Sequence, residues 1–107
     1  MKLKNKITLI TGASAGIGEA TARTFAAEGS NLILTARRYE RIKNLADELT
    51  KTYNLKVLPL ELDVRSYDAV QKAFSSLPDE FKDIDILINN AGKALGIEKF
   101  EKGLIEN

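Results

Sequence analysis

Short, mostly apolar runs alternate with segments whose apolar positions repeat at helical spacing. In chain order, the pattern predicts strands at Ile7–Ile10, Leu32–Leu34, Val57–Leu62 and Ile84–Ile88. Between them it predicts a helix over Gly16–Glu28, a helix with the apolar stripe Ile42, Leu45, Ala46, Leu49 and Tyr53, and a helix capped by Ser66 with the buried face Val70, Ala73, Phe74 and Leu77. This alternation predicts an α/β fold whose right-handed crossovers build a parallel sheet.

Pro59 helps to order the predicted strands. Proline cannot donate a ladder hydrogen bond and is tolerated in a sheet mainly at an edge. In a Rossmann-like, doubly wound sheet of order 3-2-1-4 the third strand is an edge, so this order accommodates Pro59. The fourth strand, Ile84–Ile88, is apolar enough for burial on both faces, yet no later segment supplies a further strand. We therefore expect residues 1–107 to be the N-terminal half of a longer protein.

Composition narrows the chemistry that the chain can perform. The 107 residues carry a formal net charge of +1, so charge offers no argument for binding nucleic acid or an anionic membrane. We find no signal peptide and no membrane span. The chain has no cysteine and no histidine, which removes thiolate nucleophiles, histidine-dependent triads and the commonest metal ligands. We expect a cytoplasmic protein without a metal site, whose reactions depend on other side chains or on a cofactor.

Three of the seven glycines fall within TGASAGIG, residues Thr11–Gly18, directly after the first strand. Gly12 allows a tight turn out of the strand, Gly16 leaves space for phosphates near the backbone, and Gly18 allows close packing of helix on sheet. The free N–H groups and the dipole at the helix start favour an anion such as a pyrophosphate. The alternative is that these glycines serve packing alone.

With these glycines and the sequence NNAG after the fourth strand, the chain resembles the short-chain dehydrogenase/reductase family. TARRYERI, LDVR and DIDILINNAGKALG are most similar to the NADP-dependent dehydrogenases of 3-hydroxy acids and serine (allo-threonine) within that family. The resemblance implies a dinucleotide site with three parts. The phosphate turn would contain Gly12, Ser14, Ala15, Gly16, Ile17 and Gly18, the adenine would lie beside Asp63 and Val64, and the nicotinamide ribose would lie next to Asn90, Ala91 and Gly92.

Arg37 and Arg38 favour NADP over NAD. They stand at the end of the second strand, about 20 positions after the glycine turn, where an acidic residue would bind the ribose 2′-hydroxyl of NAD. A guanidinium can bind a 2′-phosphate through two parallel hydrogen bonds, and Ser14 is placed to add a hydroxyl. The alternative is that both arginines merely begin a solvated helix, with Glu40 as partner. Asp63 likewise could cap a turn as well as lie near adenine.

The reacting groups that the resemblance requires are missing from their expected place. The family uses a tyrosine that passes a proton to the substrate oxygen and a lysine four residues later, while the nicotinamide supplies hydride. Tyr39 and Lys43 have this interval, but they follow the second strand, and we interpret them as a packing residue and a solvated lysine. Asn107 does not match the context of the family's catalytic asparagine.

We therefore assign no catalytic residue and expect this chain to hold part of the cofactor. The parent protein is expected to be a homo-oligomeric oxidoreductase acting on a small hydroxy acid or alcohol. The alternatives are a non-catalytic dinucleotide-binding module and a fragment that self-associates through its fourth strand.

Overall fold

A four-stranded parallel sheet forms the centre of the computed structural model, which describes residues 2–14 and 16–90. The strands are β1 (Ile7–Thr11), β2 (Asn31–Ala36), β3 (Val57–Glu61) and β4 (Ile86–Asn89), and the helices are α1 (Gly16–Ala27), α2 (Tyr39–Tyr53) and α3 (Tyr67–Ser75), with a 3₁₀ turn at Asp79–Phe81. The strand order is β3-β2-β1-β4, as the sequence predicted, and Pro59 lies in an edge strand opposite Leu34.

Two apolar clusters cover the two faces of the sheet, because successive strand residues point to opposite sides. On one face α1 and α2 pack through Ala22, Ala26, Ile42, Leu45, Ala46 and Leu49 onto Ile10, Leu32 and Leu34. On the other face α3 packs through Val70 and Phe74 onto Ile7, Leu9 and Ile33. The helices therefore lie on both faces, which is the doubly wound arrangement.

The predicted N-cap of the third helix is confirmed, whereas the predicted start of the fourth strand is wrong by two residues. The Ser66 hydroxyl accepts a hydrogen bond from the Ala69 amide at 3.2 Å. Strand β4 begins at Ile86. The Asp85 amide still donates to the Ile7 carbonyl, but the Ile7 amide donates to the Asp85 carboxylate and not to a backbone carbonyl, both at 2.9 Å. The residues Ile86–Ile88 are half-buried rather than fully buried, since no described strand lies beyond β4.

The turn between β1 and α1 depends on the contact between Gly12 and Gly18. Gly12 has φ +62°, a conformation that L side chains rarely adopt. A Cβ placed on Gly18 would lie 1.8 Å from the Gly12 carbonyl oxygen and 2.7 Å from its carbonyl carbon. The first turn of α1 therefore packs directly against the backbone that leaves β1. No described helix is both long and apolar enough to cross a membrane.

Gly18→Ala and Gly16→Ala form a matched pair that tests this close approach. A Cβ on Gly16, whose φ is +60°, would meet no atom within 4 Å, so its substitution carries mainly the backbone cost of about 1 kcal/mol. Gly18→Ala must displace main-chain atoms, and we expect a loss of about 3 kcal/mol in the free energy of unfolding. Urea denaturation followed by circular dichroism measures both losses. Equal losses in the two variants would contradict the packing described here.

Candidate functional site

A cavity of about 620 Å³ opens at the carboxyl ends of β1, β2 and β3. Its size is typical of sites for small molecules and cofactors, and in open parallel sheets ligands bind at this end of the strands. The cavity is lined by Gly12, Ser14, Thr35, Ala36, Arg37, Arg38, Leu62, Asp63, Val64 and Arg65. The fold thus collects residues that lie up to 53 positions apart in sequence, from Gly12 to Arg65, around one space.

Backbone hydrogen bonds hold the loops of this cavity against the end of β2. The Ala13 amide donates to the Thr35 carbonyl at 3.1 Å, and the Leu62 amide donates to the Ala36 carbonyl at 3.0 Å. Both bonds continue the sheet ladders by one step beyond the strands. The loops after β1 and β3 are therefore positioned by the sheet itself.

The start of α1 presents open backbone. Gly16 has positive φ and open space where a side chain would be, and Ile17 is 77% exposed although its side chain is large and apolar. The first amides of an α-helix have no partner within the helix. An anion can therefore approach the first turn of α1 without meeting a side chain from Gly16 or Gly18.

Arg37 and Arg38 are exposed at the junction of β2 and α2. Neither arginine forms an ion pair with any residue that the structure describes, including Glu40. Ser14 lines the same cavity. The positive charges of Arg37 and Arg38 and the hydroxyl of Ser14 thus line the same cavity.

Asp63 is bound to Arg65, a residue that the sequence analysis did not assign. The Asp63 carboxylate accepts hydrogen bonds from the amide and Nε of Arg65 at 3.0 Å and from its Nη2 at 2.9 Å. The side-chain and backbone hydrogen bonds of Arg65 lower the pKa of Asp63 to about 2. Asp63 thus caps the turn after β3, as one alternative proposed, and also lines the cavity. The arginine was visible in LDVR, but its pairing depends on the turn.

Polar side chains connect the ends of β1 and β4. The Thr11 hydroxyl donates to Asn89 Oδ1 at 2.7 Å and accepts from the Asn90 amide at 3.0 Å. Two buried polar atoms, Thr35 Oγ1 and Asn90 Nδ2, have no hydrogen-bond partner among the described residues. Ala15, Ala91, Gly92 and Asn107 lie outside the described residues.

A second cavity, of about 300 Å³, lies between α1 and α2 next to Ser14. Arg23 of α1 binds Glu48 of α2 and also Glu19. Hydrogen bonding to Glu48 is the main cause that raises the pKa of Arg23, and the same bond lowers the pKa of Glu48. Arg23 is thus paired with both acidic residues that line this cavity, Glu19 and Glu48.

The remaining candidate residues lie away from the cavity lining. Tyr39, at the first position of α2, is 38% exposed and does not line the cavity. Lys43 is exposed and binds Asp47 at 3.2 Å, as expected for a solvated lysine. No group of three or more His, Cys, Asp or Glu residues that could bind a metal occurs within residues 2–14 and 16–90.

Known proteins resemble this chain over most of its length. The sequence profile of the short chain dehydrogenase family matches residues 6–106. An NADP-dependent 3-hydroxy acid dehydrogenase of Salmonella typhi is 46% identical over 94% of this chain and 39% of its own length. A serine 3-dehydrogenase of Agrobacterium fabrum is 51% identical over 82% of this chain and 34% of its own length. The chain therefore spans about two fifths, or less, of these relatives.

The fold agrees with solved structures of the same kind. L-sorbose reductase of Gluconobacter frateurii, solved with NADPH and L-sorbose, superposes with a TM-score of 0.79 at 37% identity, over 87% of this chain and 36% of that protein. Because the family profile matches residues 6–106 and a solved structure of the same fold is 37% identical, the chain belongs to the short chain dehydrogenase family.

Proposed function

We propose that this chain binds NADP in the cavity at the carboxyl ends of β1, β2 and β3. The observation that carries the proposal is a cavity of suitable size that Gly12 and Ser14, from the turn leading into α1, line together with Arg37 and Arg38. Neither arginine forms an ion pair with a described residue. The relatives support the choice of dinucleotide, since the Salmonella typhi protein is named NADP-dependent and the L-sorbose reductase was solved with NADPH.

The pyrophosphate would lie at the start of α1, bordered by Gly12, Gly16 and Gly18. Its negative charge is favoured by the unpaired amides and by the helix dipole. Gly16 leaves space for close approach, while Gly18 allows the helix start to sit against the turn. The exposed Ile17 offers an apolar surface to the cofactor, and we propose that Ala15 contributes to the same turn.

The 2′-phosphate would be bound by Arg37, Arg38 and Ser14. A guanidinium donates two parallel hydrogen bonds to a phosphate and keeps its charge at every physiological pH. Since no described carboxylate forms an ion pair with either arginine, neither needs to exchange a protein partner for the ligand. NAD lacks the phosphate that would use these charges.

The two ends of the dinucleotide would contact the loops after β3 and β4. Asp63 can accept a hydrogen bond from the adenine amino group, and Val64 forms part of the apolar wall. We propose that Asn90, Ala91 and Gly92 lie next to the nicotinamide ribose. The buried Asn90 Nδ2, which has no hydrogen-bond partner within residues 2–14 and 16–90, supports this assignment, since a buried polar atom without a partner is costly unless a ligand satisfies it.

The whole protein is proposed to be an oxidoreductase that acts on a small hydroxy acid or a related alcohol or carbonyl compound. Bound NADP supplies the hydride chemistry at its nicotinamide ring. The described residues bind the two nucleotides and orient them. Tyr39 and Lys43 lie on the exposed surface of α2, so no catalytic role is proposed for them. We propose that residues 1–107 form the dinucleotide-binding half and that the reacting side chains lie elsewhere.

We also propose that the protein is a cytoplasmic homo-oligomer. The absence of cysteine fits a reducing compartment. Within the described residues β4 pairs only with β1, and its side chains Leu87 and Ile88 pack on opposite faces of the sheet. In the isolated chain, a strand with such side chains favours pairing with a second copy of the chain on its free side. A non-catalytic binding module or a self-associating fragment remains the alternative function for the isolated chain.

The double variant Arg37→Asp, Arg38→Ala tests the choice of cofactor. We expect the wild-type chain to bind NADP at least about tenfold more tightly than NAD, because charge-assisted hydrogen bonds to the 2′-phosphate add to affinity. The double variant should lose this preference, whereas Lys43→Ala, which removes an exposed lysine outside the cavity lining, should keep it. Isothermal titration with both dinucleotides measures the ratio. Equal affinities in the wild type would contradict the proposal.

An activity assay tests whether these residues include a reacting group. L-serine and 3-hydroxy acids are the substrates to try, because the relatives are named for them. We expect no increase in absorbance at the wavelength of NADPH when the purified 107-residue chain is mixed with NADP and substrate. Measurable turnover that Tyr39→Phe abolishes would contradict the proposal that the reacting side chains lie outside residues 1–107.

Analytical ultracentrifugation at several concentrations tests self-association. We expect a concentration-dependent dimer that Ile88→Lys weakens, because a charge in the apolar side chains of β4 disfavours strand pairing. Glu61→Lys, at the end of the opposite edge strand, is the control and should leave the dimer unchanged. A clean monomer at high concentration would contradict the assignment.

A further inference from the structure

The ion pair between Asp63 and Arg65 leaves the carboxylate with little freedom. Arg65 supplies three donors, two to Oδ1 at 3.0 Å and one to Oδ2 at 2.9 Å. An ionised carboxylate offers about four acceptor positions. One position, on Oδ2, therefore remains for a ligand.

The surroundings of this remaining acceptor position suit a flat ring that carries an N–H donor. Both members of the pair line the main cavity, and so do the buried, apolar side chains of Leu62 and Val64. Apolar walls favour the faces of a ring, while a carboxylate oxygen favours a donor at its edge. A ring carbonyl at the same place would put its oxygen, an acceptor, against Asp63 Oδ2, which is also an acceptor, with no proton between them.

We propose that Arg65 is a positioning residue that holds the Asp63 carboxylate so that it accepts one hydrogen bond from the amino group of a purine and rejects a 6-oxo purine. The proposal rests on dinucleotide binding in this cavity as described above. It adds a determinant of the base, which is separate from the 2′-phosphate contacts of Arg37 and Arg38.

Arg65 is suited to this role because both side chains are partly open to water. The Asp63 and Arg65 side chains are 39% and 63% exposed, so without the arginine the carboxylate could rotate and bind water instead. A planar guanidinium fixes both oxygens at once, which the point charge of an ammonium cannot do. The same hydrogen bonds keep the pKa of Asp63 near 2, so the group is an acceptor at neutral pH.

The test compares NADP with its hypoxanthine counterpart, in which an oxo group replaces the 6-amino group. The variants are Arg65→Gln and Arg65→Lys. The matched control is Lys56→Gln, which removes one charge from an exposed ion pair with Glu80 outside the cavity lining. Isothermal titration with NADP, the hypoxanthine analogue and NAD gives two affinity ratios for each protein. The ratio of NADP to the analogue, called the base ratio, reports on recognition of the base. The ratio of NADP to NAD reports on recognition of the 2′-phosphate.

We expect the wild type to prefer NADP over the analogue by about tenfold or more, the value of a hydrogen bond to a charged group. In Arg65→Gln this base ratio should fall towards one while the ratio of NADP to NAD stays unchanged. Arg65→Lys should give an intermediate base ratio, and Lys56→Gln should match the wild type in both. Circular dichroism verifies that each variant is folded.

Three results would overturn the inference. Retention of the base ratio in folded Arg65→Gln would show that Arg65 does not position Asp63, with the proposed function left standing. A fall in the ratio of NADP to NAD would assign Arg65 to the phosphate instead. Absence of binding by the wild type to any of the three dinucleotides would defeat both proposals together.

Titration of the Asp63 carboxyl by NMR supplies a readout that does not need a ligand. We expect a midpoint near 2 in the wild type and a shift towards the ordinary value of 3.8 in Arg65→Gln. A wild-type midpoint at the ordinary value would show that the pair does not form in solution and would overturn the inference as well.

Discussion

The contact between Gly18 and the carbonyl of Gly12 is the constraint on which the rest of the site depends. Because no side chain separates them, the first turn of α1 lies against the backbone that leaves β1. This contact places the unpaired amides of the helix at the carboxyl end of the sheet, where the loops after β2 and β3 also end. A larger residue at position 18 would move the helix start away from the cavity that those loops line.

The positive charge at the carboxyl end of the sheet results from where the fold places three arginines and not from the composition of the chain. The chain as a whole carries a net charge of only +1, yet among the described residues one cavity is lined by Arg37, Arg38 and Arg65 and by a single acidic residue, Asp63. Exposed ion pairs, such as the one between Arg23 and Glu48, contribute little to stability. Arg37 and Arg38 form no ion pair with a described residue and are better explained by an anionic ligand than by the stability of the fold.

Some threonine hydroxyls on the central strands have hydrogen-bond partners among the described residues, and one does not. Thr8 is buried and its hydroxyl pairs with that of Ser30 at 2.8 Å, while the Thr11 hydroxyl bonds to Asn89 at the end of β4 and to the Asn90 amide. Thr35, the next-to-last residue of β2, is equally buried but has no side-chain partner among the described residues. The hydroxyls of Thr8 and Thr11 connect neighbouring segments, whereas Thr35, whose hydroxyl has no described partner, lines the cavity.

The sequence by itself determined the order of elements, the strand order and the position of the glycine turn. These features follow from local spacing: apolar periodicity marks the elements, Pro59 identifies an edge, and glycines show where the backbone must turn or approach closely. Arg37 and Arg38 could also be placed, because the residues that directly follow a parallel strand lie at its carboxyl end. The tertiary structure alone decided that β4 starts at Ile86 and that Arg65 holds Asp63. Both outcomes depend on hydrogen-bond geometry between a side chain and a particular turn or neighbouring strand, which the spacing of residue types does not encode.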